Sequence, residues 1–178
     1  MQLSRLVGGR PAACLLLLAV SACSPTLDWR EVRPEESSVV ALFPCKPTTD
    51  ARMVSLAETR VRMQLVACRA GDVTWALAHA DVADAARVAP ALKSLRDAAA
   101  SNLKGTAQAV GPMQLNGMTP NPQAERVRVQ GRLPTGEAVV LEGGFFVRGT
   151  RVYQVSVMGQ KLDADALGVF FDGLKLLP

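Results

Sequence analysis

The side chains whose types and spacing suit chemistry fall into three groups. The single histidine, His79, is followed by Asp81 and Asp84. An imidazole with carboxylates two and five residues on can serve as a general base or, with both carboxylates, hold a cation. His79 nevertheless shares the parity of Val73, Trp75 and Leu77 near the end of an alternating stretch. A half-buried structural histidine is therefore the preferred reading, and Asp81 and Asp84 need no role beyond capping a helix entry. The second group is a row of arginines, Arg126, Arg128 and Arg132, alternating with Val127 and Val129 and joined further on by Arg148 and Arg151. Such a row is either a solvated strand face or a contact for anionic glycan or lipid head groups. The third group is the cysteines, Cys14, Cys23, Cys45 and Cys68.

Nothing else assembles a reaction. The sequence contains no Gly-x-Ser-x-Gly elbow, phosphate-binding Gly-x-x-x-x-Gly-Lys loop or dinucleotide fingerprint. The pair Gly143 and Gly144 thus reads as sheet geometry, a bulge or a close backbone approach. The expectation is a non-enzymatic domain with no cofactor and no metal.

What precedes Cys23 decides how the cysteines are used. Arg5 and Arg10 open the chain without an acid, an apolar run from Pro11 to Val20 follows, and small residues end it. That is the three-part layout of a secretory signal. The stretch from Ala12 to Ala22 is about half of the roughly 20 residues a membrane span needs. The tetrad Val20-Ser21-Ala22-Cys23 resembles the lipobox of bacterial lipoproteins, the alternative being an ordinary signal peptide with a cysteine just past its cleavage site. The resemblance implies cleavage after residue 22, a diacylglyceryl thioether on Cys23 and often a third, amide-linked chain. Each buried methylene contributes about 0.8 kcal/mol, so several chains hold a protein durably where one holds it marginally. Ser24 stands where enterobacterial lipoproteins carry the Asp that retains them in the inner membrane. The resemblance therefore implies the outer membrane, on its periplasmic side.

Cleavage changes the composition. Of the 178 residues 156 remain, and Arg5 and Arg10 leave 18 basic side chains against 16 acidic ones, a net +2. That is too little concentrated charge for a nucleic-acid partner. Cys14 is discarded and Cys23 is acylated, so Cys45 and Cys68 remain as one disulfide in an oxidising compartment, with a metal pair or reactive thiol as the alternative. Closing that loop stabilises the fold by roughly 3 kcal/mol.

Residues 23–38 carry two prolines, six charges and little periodicity. They read as a lipidated flexible tether, reaching roughly 50 Å if extended. Within it Trp29 and Val32 either dock on the domain or touch a partner. The single domain is then 39–178. The run Val39 to Phe43 before Pro44 suits a strand buried on both faces. Arg60 to Leu65 and Val73 to Ala78 alternate about the turn Ala70-Gly71-Asp72 and form a hairpin, with an earlier strand from about Arg52 to Glu58. Leu92, Leu95, Ala99 and Leu103 share a helix face up to Gly105. Pro90 places the start of that helix near Val88, with Asp84 to Arg87 as a preceding turn. Strands are predicted over Ala107–Leu115, Glu125–Leu133, Glu137–Val147 and Arg151–Met158, the third apolar at both parities and therefore central. Asp163 caps a last helix bearing Leu167, Phe170 and Leu174. Strands, helix, strands, helix gives an α+β fold, an antiparallel sheet of about six to seven strands packed with two helices.

Two further resemblances accompany this order. Leu27-Asp28-Trp29-Arg30-Glu31-Val32 and Ala41-Leu42-Phe43-Pro44-Cys45-Lys46-Pro47 resemble a family of uncharacterised proteobacterial lipoproteins. More distantly, Phe43-Pro44 after a first strand, the long central helix, and Gly149 to Val157 leading into Phe170 to Leu176 resemble the PsbP-like fold, a sandwich. Members of that superfamily are mostly non-enzymatic accessory or binding proteins, and the resemblance bears on fold more than on function. An anchored, compact domain without catalytic groups leads to the expectation of an accessory or binding role, with the membrane touched through the lipid and an unknown envelope protein as partner. The alternative is a carrier of a small apolar or lipidic ligand in a cleft between the sheet and the 88–104 helix.

Overall fold

The computed structural model describes residues 27–178. Cys23 and the stretch 1–22 lie outside the described residues. The core of the molecule is a seven-stranded, wholly antiparallel sheet in the order β3-β4-β5-β9-β8-β7-β6. One half is the meander β3 (Thr48–Leu56), β4 (Thr59–Ala70) and β5 (Val73–Asp81). The other is β6 (Thr106–Pro112), β7 (Glu125–Arg132), β8 (Ala138–Arg148) and β9 (Arg151–Gly159). The halves join where β5 pairs with β9, from Thr74 opposite Met158 to Asp81 opposite Arg151. The α+β class and the sheet packed against two helices are as the sequence predicts.

Alternation in the strands sends apolar side chains to both faces, and each face has its own core. On one face Ala80, Val129, Leu141, Phe145 and Val152 pack under helix α1 (Ala85–Asn102) through its Val88, Leu92, Leu95 and Ala99. On the other, Val66, Trp75, Leu77, Phe146, Tyr153 and Val155 pack under helix α2 (Ala164–Asp172) and a second, three-stranded sheet. That sheet is β1 (Arg30–Val32), β2 (Val39–Phe43) and β10 (Lys175–Leu176), with β2 in the middle. The expectation that β2 is covered on both faces holds: Val39, Val40, Ala41 and Phe43 are all buried. The Cys45–Cys68 disulfide follows β2 and ties its end to β4, with Cα atoms 5.9 Å apart.

Three expectations need correction. Residues 27–38 are docked rather than tethered. The Asp28 amide donates to the Pro44 carbonyl (2.8 Å), Arg30–Val32 pair with Ala41–Phe43, and Trp29 packs edge-on against Trp75 with centroids 5.7 Å apart. Ser37 is fully buried, and its carbonyl accepts from the Tyr153 hydroxyl (2.6 Å). Second, α1 starts at Ala85 and runs through Pro90. The Asp84 carboxylate caps it by accepting from the Ala86 amide (2.9 Å). The donor that proline lacks would have served the carbonyl of Ala86, an exposed residue, where water can replace it, so burial of Val88 and Ala91 outweighs the proline. Third, of the two readings of Gly143 and Gly144 the bulge fails, since both sit in continuous register with β7 and the sheet's irregularity lies between Ala109 and Gly111, while the close approach holds at Gly144. A Cβ on Gly144 would lie 3.0 Å from the Phe171 and Val155 side chains and 3.1 Å from the Met113 sulfur, tighter than ordinary contact.

The hairpin joining β3 to β4 closes with two residues, Ala57 (φ 49°) and Glu58 (φ 62°), between the paired Leu56 and Thr59. Both lie in the left-handed region that the tight hairpin turn demands and that favours Asn and Gly, at a cost of about 1–2 kcal/mol per ordinary residue. The double substitution Ala57→Asn with Glu58→Gly is predicted to raise stability by about 1–2 kcal/mol. In urea unfolding the midpoint should rise at unchanged slope; a lower midpoint would contradict this backbone geometry.

Candidate functional site

The sequence-predicted groups are separated by the fold rather than converged. Arg126 and Arg128 project from β7 on the α2 side of the sheet, and the register sets Arg128 opposite Glu142 of β8. Glu142 is 4% exposed and is ion-paired with Arg126, with Arg128 at 3.8 Å. A buried carboxylate requires such compensation, so these arginines neutralise an internal charge. The Arg126 guanidinium also lies 4.0 Å from the centroid of the Phe171 ring. Arg132 donates to the Gly136 carbonyl across the β7–β8 turn (2.9 Å), Arg148 donates to the Leu177 carbonyl, and Arg151 pairs with Asp81 at 3.6 Å. The row is thus distributed among internal partners.

His79 lies on β5 between Gln64 of β4 and Tyr153 of β9. It is 4% exposed, further buried than its sequence reading as half-buried. Its ring stands 6.1 Å from that of Tyr153, and its Nε2 meets no hydrogen-bond partner among the described residues. Burial holds its pKa well below the ordinary 6.5, at about 4, and the Arg151 charge pushes the same way. The Glu36 charge and a hydrogen bond with the Glu35 main chain oppose these less strongly. The groups around it are engaged. Gln64 donates to Glu36 (3.0 Å), which also faces Arg62 at 3.6 Å. Asp81 accepts from the Thr150 hydroxyl (2.7 Å) and the Ala83 amide (2.8 Å), and the Thr150 bond is the main reason its pKa is lowered. Burial raises the Tyr153 phenol. Asp84 caps α1, so His79, Asp81 and Asp84 do not meet, and no group of three His, Cys, Asp or Glu side chains suited to a metal occurs among the described residues. A cleft of about 160 Å³, lined in part by Glu36, Arg62, Gln64 and Arg151, borders the neutral imidazole. At neutral pH it is a poor proton shuttle, because a base with a pKa near 4 is weak.

A larger concavity lies on the opposite sheet face. α1 leans over the β6–β9 half and leaves β3, β4 and β5 partly uncovered, opening a cleft of about 300 Å³. Its apolar lining includes Val54, Met63, Leu65, Ala78, Leu95 and Ala98, and Asp50, Arg52, Asn102 and Gln154 supply polar groups. An apolar cleft with a few polar groups is the usual form of a small-molecule site, and this volume is at the lower end of the range of roughly 300–1,000 Å³. The expected cleft between sheet and central helix is therefore present. The sequence placed it between those elements but could not name its lining, because Thr48–Arg52, four polar residues and one alanine, carry no apolar alternation.

Comparison with known proteins finds no matching family model, no matching curated protein and no matching solved structure.

The His79 environment predicts a pH dependence. Between about pH 4 and 6.5 the unfolded chain binds a proton at this histidine and the folded chain does not, so stability is complete above 6.5 and falls on acidification through that window. The full loss is about 3 kcal/mol. Because the chain has one histidine, its imidazole NMR titration is unambiguous: a midpoint near 4 is expected, and one near 6.5 would contradict the burial.

Proposed function

We propose that the chain is an exported lipoprotein, acylated on Cys23 and held at the periplasmic side of the outer membrane, whose domain binds without catalysing a reaction. The signal-like start and the lipobox resemblance support the location. No helix among the described residues is long and apolar enough to cross a membrane; in this reading the lipid on Cys23 supplies the attachment. Docking from Asp28 onward leaves four residues between that position and Cys23, five chain steps with a reach of at most about 17–18 Å. The proposed domain is therefore held close to the head groups rather than on a long leash.

The accessory role, toward another envelope protein, is supported by an anchored, compact domain whose candidate catalytic groups do not converge. Pairing of Arg126 and Arg128 with Glu142 argues against a nucleic-acid surface. One observation favours a carrier role within this reading: the cleft beneath α1, with its apolar lining and few polar groups. Its size suits one small amphipathic molecule, apolar part toward Leu65 and Ala78 and polar end toward Asp50, Arg52 or Asn102.

Two measurements test the proposal. Metabolic labelling with a clickable palmitate should mark the chain in its membrane fraction, and Cys23→Ser should lose both label and membrane association. An unlabelled membrane-bound protein would refute the anchor. For the cleft, native mass spectrometry of gently extracted protein should show a bound amphiphile. Ala98→Trp, a bulky group on an exposed position of the cleft wall, should displace it without loss of fold. Ligand retained at wild-type occupancy would place it elsewhere.

A further inference from the structure

The two edges of the seven-stranded sheet differ in how they end. β6 is interrupted between Ala109 and Gly111 and finishes at Pro112, devices that spoil an edge for pairing. β3 has neither. It pairs with β4 through nine unbroken residue pairs, and among the described residues no strand pairs with its outer edge. Thr48 to Met53 are all exposed, Met53 by 52%. A long, regular, bare edge is a template for another strand.

The charges along β3 select the partner. An antiparallel pairing of two identical strands about a two-fold axis perpendicular to the sheet must place residues of the same parity opposite each other, because side chains alternate between faces. The axis must then pass through a residue. On Asp50 it would face Asp50 with Asp50, and on Arg52 it would face Arg52 with Arg52. On Ala51 it sets each Asp50 opposite the other copy's Arg52, with Thr49 opposite Met53 and Thr48 opposite Val54. Of these three placements only the last is self-complementary, and opposite charges directly across a strand pair stabilise it while like charges destabilise it.

We propose that a second copy of this chain pairs antiparallel along β3 about a two-fold axis through Ala51, joining the two sheets into one and forming a symmetric dimer. The contact is isologous and closes on itself, so it yields dimers rather than fibres. Asp50 and Arg52 also line the cleft beneath α1, so the same pairing sets the two clefts side by side across the axis.

The test is the oligomeric state of the purified full chain in detergent, by sedimentation over a wide concentration range, with circular dichroism to confirm the fold of each variant. The wild type should show a monomer–dimer equilibrium. Asp50→Arg and Arg52→Asp each set like charges opposite at both ends of the pairing and should weaken dimerisation about tenfold or more. The double variant D50R/R52D restores opposite charges and should recover dimerisation to within about threefold of wild type. Ala51→Cys should form an intermolecular disulfide on the axis. A chain monomeric at every concentration would overturn the proposal, as would a dimer indifferent to both single charge reversals.

Discussion

Two sheets that share no strand stay together only if the space between them is filled, and in this protein Trp75 is at the centre of that filling. Its ring meets Trp29 edge-on from the N-terminal segment at 5.7 Å and Phe170 of α2 at 5.2 Å. Phe170 in turn meets Phe43 of β2 and Phe171 of α2, each at 5.6 Å. Edge-on aromatic pairs contribute about 0.5–1.5 kcal/mol each beyond the area they bury. The disulfide from Cys45 to Cys68 closes the same layer at the end of β2, and Cys68 lies directly opposite Trp75 in the sheet. One aromatic cluster therefore joins the first strand, the buried strand β2, the last helix and the main sheet. The positions of β1 and of α2 both depend on it.

That dependence has functional weight because the aromatic layer is where the N-terminal segment meets the domain. Trp29 is held by Trp75, and Ser37 is held by Tyr153, whose ring stacks on Phe146 at 4.6 Å. A lipid at Cys23 would then transmit the membrane's position to a rigid body after only a few residues. The opposite face, with its cleft and the bare β3 edge, stays free of these contacts. On the proposed function, attachment and binding are divided between the two faces of one sheet.

Much of this was legible in the sequence where period and punctuation agree. The β4–β5 hairpin, the both-parity apolarity of β8, the Asp163 cap and the cysteine pair each carry a local signal that the fold honours. The gaps have physical reasons. β1 and β10 span three and two residues, too short for any period, and exist because β2 offers them both its edges. Trp29 was the one visible hint, an aromatic in a charged stretch, and docking was the reading that proved correct for it. The arginine row was visible as arginines, but its meaning depended on Glu142, which register brings opposite Arg128 from 14 positions away. Parity placed His79 on its face, while the depth of its burial depended on Gln64 and Tyr153 flanking it and on Glu36 above. Pro90 misplaced the helix start because a missing donor near an exposed end costs little once the next turn is buried.

The central claim is that residues 28–38 belong to the folded body through the Trp29–Trp75 contact, which would keep the domain near the lipid anchor proposed for Cys23. Native-state hydrogen exchange reads this directly. The amides that pair β1 with β2 should exchange at least about a hundredfold more slowly than in an unstructured chain, and Trp29→Ala should release them while β4 and β5 stay protected. Exchange of the β1 amides at unstructured rates in the wild-type protein would contradict the account, leaving the segment a free tether.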